Sequence, residues 1–150
     1  MSLGLDPATR TARVRVVDDH IRFECAHELG SLMDTFGAEP EWHNQAGEQM
    51  LRGYQAIHGL YHDLSAGFPD FRIDAKERHV ADDAVIVEGM LCGTQTGAWM
   101  GIPPTGKTVS VPFSAVFTFA SDNRVKKEIV YYDRMTLLGQ LGVLGAVAGA

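Results

Sequence analysis

Cysteine is scarce in this chain: Cys25 and Cys92 are the two in 150 residues. They form no close Cys-x-x-Cys pair, so neither a thiolate metal site nor a dithiol redox motif is expected. Two reduced thiols in a cytoplasmic protein are expected instead. No apolar run approaches the ~20 residues of a membrane-spanning helix, and nothing resembles a signal peptide. Positive charge is also in short supply, with 13 Lys and Arg against 19 Asp and Glu and a net charge of −6. Nucleic acid and anionic membranes are gripped through basic surfaces, so neither is an expected partner. The chain lacks a Gly-x-Ser-x-Gly elbow, a phosphate-binding glycine loop and a paired-glycine nucleotide fingerprint. The segment from Gly101 to Lys107 ends in Thr-Gly-Lys, but its spacing and its two prolines are wrong for a phosphate loop. His58 and His62 stand four apart on a helical stretch, yet there is no His-Glu-x-x-His and no evident third ligand. No metal and no other cofactor is therefore expected.

What is present is an ordinary globular composition, 45% hydrophobic and 21% charged. The whole chain, 1–150, is expected to form one domain with loose ends at 1–6 and 143–150. The patterning is clearest between Val85 and Asp133. Strands are expected over Val85–Thr96, Thr108–Ala120 and Arg124–Tyr132, joined by a Gly- and Pro-rich loop and a turn at Ser121-Asp122-Asn123. In the second, Val109, Val111, Phe113, Ala115, Phe117 and Phe119 alternate along one face. Before this meander, Asp6-Pro7 opens an amphipathic helix carrying Val14, Val17, Ile21 and Cys25. A short helix is expected over His27–Phe36, ended by Gly37, and a strand over Glu39–Gln45. A third helix is read over Ala46–Gly67 and a strand over Phe71–Val80, with Phe71, Ile73, Ala75, Glu77 and His79 sharing a face. Met135, Leu137, Leu138 and Leu141 suggest a final short helix. Helices first and mostly antiparallel strands afterwards make an α+β fold, with a curved sheet wrapped around helices and an apolar hollow between the layers.

The residue of most chemical interest is Asp133. If it shares a face with Ile129 and Tyr131, its carboxylate enters the hollow. Apolar surroundings would raise its pKa toward the range useful for proton transfer. It also stands where an N-cap for the last helix belongs, and capping would hold it ionised. Alternation places Trp42 and Asn44 on one face of the early strand and His43 on the other. Asn44 could hydrogen-bond a substrate oxygen or simply start the next turn. Tyr54, Tyr131 and Trp99 are candidate pocket aromatics, Trp99 because it sits in an irregular loop.

Four stretches carry a resemblance: Arg52-Gly-Tyr-Gln-Ala-Ile57, Gly67-Phe-Pro-Asp-Phe71, the loop GTQTGAWMGIPPTGK and the ending VYYDRMTLLGQLGVL. Together they resemble the SnoaL-like polyketide cyclase family, within the nuclear transport factor 2-like and ketosteroid isomerase-like superfamily. The resemblance implies a conical α+β barrel with an internal pocket and a homodimer. It implies cofactor-free ring closure by intramolecular aldol condensation on a small apolar or aromatic molecule. It also implies an acid/base aspartate near the end of the last strand, which is Asp133 here. Tyr131, Asn44 and His43 would orient the substrate oxygen. Trp42, Tyr54, Trp99, Phe113, Phe117 and Phe119 would hold the flat substrate. Two departures stand out. Family cyclases carry polar residues on the inner face of the penultimate strand, where this chain has Ala115, Phe117 and Phe119. The position of the isomerase base holds Asn44. A non-catalytic binder of an apolar ligand, an isomerase or dehydratase relative, and a subunit that only dimerises are the alternatives.

Overall fold

A computed structural model of the chain describes residues 4–145. The expected loose ends fall in part outside these residues. Among the described residues four helices and six strands follow one another. They are α1 (Pro7–Ala26), α2 (Leu29–Asp34), β1 (Phe36–Asn44), β2 (Gln49–Arg52), α3 (Tyr54–Gly67), β3 (Arg72–Val80), β4 (Ala84–Thr94), β5 (Thr108–Phe119), β6 (Val125–Tyr132) and α4 (Arg134–Leu141). The strands form one curved, unclosed sheet in the order β2-β1-β6-β5-β4-β3, which confirms the α+β architecture. All neighbours are antiparallel except β1 and β6, which run parallel.

Local chemistry accounts for most boundaries. Asp6 caps α1 by accepting from the Thr9 amide, and Pro7 takes the first turn, where its missing N–H costs nothing. His27 ends α1 in the left-handed region, so α2 is shorter than expected and begins only at Leu29. Phe36 and Gly37 belong to β1, not to α2 or its stop. The largest difference lies in 46–53, expected as the start of a long helix. Glu48 and Gly53 both take positive φ, and between them Gln49–Arg52 pairs with β1, Leu51 opposite Trp42. Ladder hydrogen bonds to β1 outweigh the weak helical preference of so short a stretch. In β3 the register slips between Ala75 and Glu77, so Ile73 and Ala75 face inward while Glu77 and His79 do not. Opposite that bulge a Cβ on Gly89 would lie 2.2 Å from the Asp74 carbonyl oxygen, so only glycine fits.

The inner face of β5 is the one the alternation predicts: Val109, Val111, Phe113, Ala115 and Phe117 are buried, with Phe119 half-buried. Helices α1, α2 and α3 pack on the concave side of the sheet, with Val17, Ile21, Leu32, Met33, Ile57 and Tyr61 meeting Phe36, Val85, Val87 and Phe117. Helix α4 closes one end over β5. Leu137 and Leu141 pack there on Val109 and Val111, and Gln140 bonds both backbone groups of Ser110. Among the described residues no helix is long and apolar enough to cross a membrane.

Candidate functional site

Strand pairing decides which side chains reach the hollow. Residues directly opposite in a ladder share a face. Phe113 pairs with Tyr132, Ala115 with Val130 and Phe117 with Glu128. The inward face of β6 is therefore Glu128, Val130 and Tyr132, and Tyr131 points out, 45% exposed. The cavity between α1, α3, α4 and the sheet measures about 100 Å³. Its walls are almost wholly apolar, among them Leu60, Leu64, Phe68, Phe71, Val111 and Phe113, and Glu24 and Glu128 are the charged residues among the described ones that line it. Exposed Met100 also lines it, so the cavity reaches solvent beside the 95–107 loop. That loop is held by the fully buried Gln95. Its amide donates to the carbonyls of Ile102 and Pro103 and accepts from Thr105 N and Oγ1. Thr96 and Gly97 donate to the Gly67 carbonyl, which seats Trp99 edge-on against Phe68 at 5.4 Å.

At the inner end of the cavity lies a polar cluster that sequence reading missed. Tyr61 Oη donates to Glu128 Oε2 at 2.6 Å, and His20 Nε2 stands 3.2 Å from both that oxygen and Tyr61 Oη. Thr35 gives its only hydroxyl proton to the Leu32 carbonyl, so its oxygen accepts from His20 Nδ1 at 2.8 Å. The Nδ1 proton is thereby fixed. Glu24 completes the group. It is 8% exposed, its Oε2 lies 4.0 Å from His20 Nε2, and that oxygen has no hydrogen-bond partner. Burial, reinforced by the neighbouring Glu128 charge, raises its pKa well above the ordinary glutamate range. Burial and the same two carboxylates raise that of Tyr61, which keeps its proton. Ligand atoms of His20, Glu24 and Glu128 all lie within 4.8 Å of one another, a set that could also hold a metal ion. His58 and His62 form no such set among the described residues.

Residues 25–141 match the family model described as SnoaL-like polyketide cyclase. The chain belongs to the SnoaL-like polyketide cyclase family. Its fold is similar to that of a protein from Jannaschia sp. CCS1 described as a SnoaL-like polyketide cyclase, at 23% identity and a TM-score of 0.82 over 91% of this chain and 94% of that one. It is also similar to a ketosteroid isomerase-like protein from Catenulispora acidiphila DSM 44928, at 18% identity and a TM-score of 0.73 over 85% and 92% of the two chains. SalBIII, an epoxide hydrolase/cyclase-like enzyme of pyran ring formation in the polyether salinomycin, matches at 13% identity and a TM-score of 0.72 over 83% and 92%. At these identities the likeness shows the fold. No curated protein sequence matches the chain.

In this SnoaL-like chain the expected site is brought together only in part. Trp42, Asn44, Trp99 and Phe113 line the cavity. Asp133 does not, which corrects the expectation that its carboxylate enters the hollow. It caps α4, with Oδ1 accepting from Met135 N at 2.9 Å and Thr136 N at 3.3 Å, and Oδ2 from Thr136 Oγ1 at 2.7 Å. The Thr136 hydroxyl and these amides lower its pKa, the reverse of what a proton shuttle needs. Tyr131 is displaced by Tyr132 for the same reason of parity. His43 turns to Glu41 at 3.1 Å on the opposite face of β1. Tyr54 is half-exposed and stacks on His58. Phe117 packs edge-on against His20 behind the cluster, and Phe119 lies under the Arg13 guanidinium. A signal for the missed residues does exist. Val17, His20, Ile21 and Glu24 form one i, i+3, i+4, i+7 stripe on α1, and two ionisable residues in an apolar stripe point to a built site.

Proposed function

We propose that this protein is an enzyme of the polyketide cyclase type, moving a proton on a carbon beside a carbonyl in an apolar, polyketide-like substrate. The observation that carries the reading is the unpartnered, buried Glu24 carboxyl beside Glu128 at the inner end of an apolar cavity. Two carboxyl groups of unequal environment divide the work of acid and base. Glu128 takes the carbon-bound proton, its negative charge steadied by the Tyr61 hydroxyl. The electron pair left on that carbon closes the ring on a second carbonyl carbon. Glu24, which holds its proton to higher pH than an exposed glutamate, delivers it to the oxygen that becomes the alcohol. Asp133 serves the α4 terminus and takes no part.

The test needs no knowledge of the natural substrate. α-Tetralone is incubated with the protein in D₂O with a chelator present, and loss of its α-proton signal is followed by NMR. Binding is read from Trp42 and Trp99, the chain's only tryptophans, both in the cavity wall. Exchange above the buffer rate, abolished in Glu128→Gln and retained in Asp133→Asn, supports the proposal. Binding with exchange at the buffer rate refutes it and leaves a binder of apolar ligands. Exchange lost in Asp133→Asn would return the acid/base role to that residue.

A further inference from the structure

A second polar feature faces the same cavity at a distance from the acid/base cluster. Asn44 is 4% exposed and both ends of its amide are committed. Its oxygen accepts from Gly47 N at 3.1 Å, and its nitrogen donates to Tyr132 Oη at 3.2 Å. Tyr132 is therefore an acceptor toward Asn44, and its own hydroxyl proton has no protein partner among the hydrogen bonds of the described residues. A phenol held in this way by an amide that cannot turn presents one donor to the cavity it lines. Tyr132 and Glu128 occupy the same face of β6, four residues apart, which is roughly 13 Å along a strand. Between them lies Val130, with Trp42 and Phe113 in the adjacent wall. Among the described residues no lysine or arginine lines the cavity, and the nearest imidazole, His20, is already engaged by Glu128 at 3.2 Å.

We propose that Tyr132, clamped by Asn44, receives a second oxygen of the ligand, across an apolar span from the Glu24–Glu128 end. The ligand class is a neutral, elongated molecule with an acceptor oxygen at each end of an apolar middle. This assignment rests on the proton-transfer reading only in taking the same cavity as the binding site. A free carboxylate in place of either oxygen would be poorly accepted, because it would be desolvated beside two glutamates with no lysine or arginine among the described lining residues.

The test compares two probes of similar shape, 1,4-diacetylbenzene and 4-ethylacetophenone, which differ by one carbonyl oxygen. Dissociation constants are measured by tryptophan fluorescence in each protein. One hydrogen bond predicts that the unaltered protein binds the diketone about five- to tenfold more tightly. Tyr132→Phe brings the ratio to about one. The ratio is internal to each protein, so a general loss of stability does not move it. Asn44→Ala, which frees the phenol, gives a second route and lowers the ratio as well. An equal affinity for the two probes, or a ratio unchanged in Tyr132→Phe, overturns the assignment to Tyr132 and leaves the proton-transfer proposal standing. Binding of neither probe overturns both.

Discussion

Replacing Glu24 with glutamine gives the sharpest test of the buried cluster, because the pH dependence of stability reports its protonation directly. An unfolded glutamate ionises near 4.5, whereas burial and Glu128 hold the folded Glu24 carboxyl protonated to well above that. Between the two values the folded chain binds one more proton than the unfolded chain. Stability then falls as pH rises, with a limiting slope of about 1.4 kcal/mol per pH unit. From pH 5 to pH 7 this amounts to at most about 3 kcal/mol. Glutamine has nearly the same shape and no charge to desolvate, so Glu24→Gln removes that component. Urea unfolding of both proteins across pH 5–7 is the assay, and the difference in unfolding free energy is the quantity of interest. Titrating groups away from the cluster are common to both chains and cancel, so the difference reports Glu24 together with its coupling to Glu128. Asp6, Asp70 and Asp133, whose pKa values are lowered, act below 3.8 and stay outside the window. The variant gains on the parent as pH rises. A difference that is flat across the window would show that Glu24 is already ionised in the folded chain, and the acid role would fall.

Three further outcomes follow from the same geometry. Tyr61→Phe removes a buried donor to Glu128 and one neighbour of His20, so urea unfolding at pH 7 should show a loss of about 1–3 kcal/mol. Gln95→Leu leaves the Thr105 amide and the Pro103 carbonyl without their partner and the Ile102 carbonyl with the Trp99 amide alone, and hydrogen exchange should show the 95–107 loop opening well before global unfolding. Asp133→Ala removes the α4 cap and lowers the thermal midpoint at neutral pH. Because the folded pKa of Asp133 is depressed, that stabilisation is present above 3.8 and is lost as pH falls through the folded value. Parent and variant midpoints should therefore converge in acid.

The class of fold and much of its core were legible in the chain alone. Alternation along β5, the Asp6-Pro7 start of α1 and the small residues at the turns are local signals, and each acts through its own few neighbours. The inward face of β1, with Trp42 and Asn44, was readable for the same reason. Tertiary structure alone decided the parity of β6. Apolar patterning selects Ile129 and Tyr131 as the inner face, but pairing with β5 turns Glu128, Val130 and Tyr132 inward. A one-residue change of phase exchanges every side chain between core and solvent, so it moved the candidate chemistry from Asp133 to Glu128. Burying Glu128 is tolerable only because Tyr61 from α3 and His20 from α1 meet it there. Those partners are 67 and 108 positions away in the chain, respectively. No window of sequence contains that compensation, and until the helices dock on the sheet a glutamate among apolar neighbours reads as a solvent-facing residue.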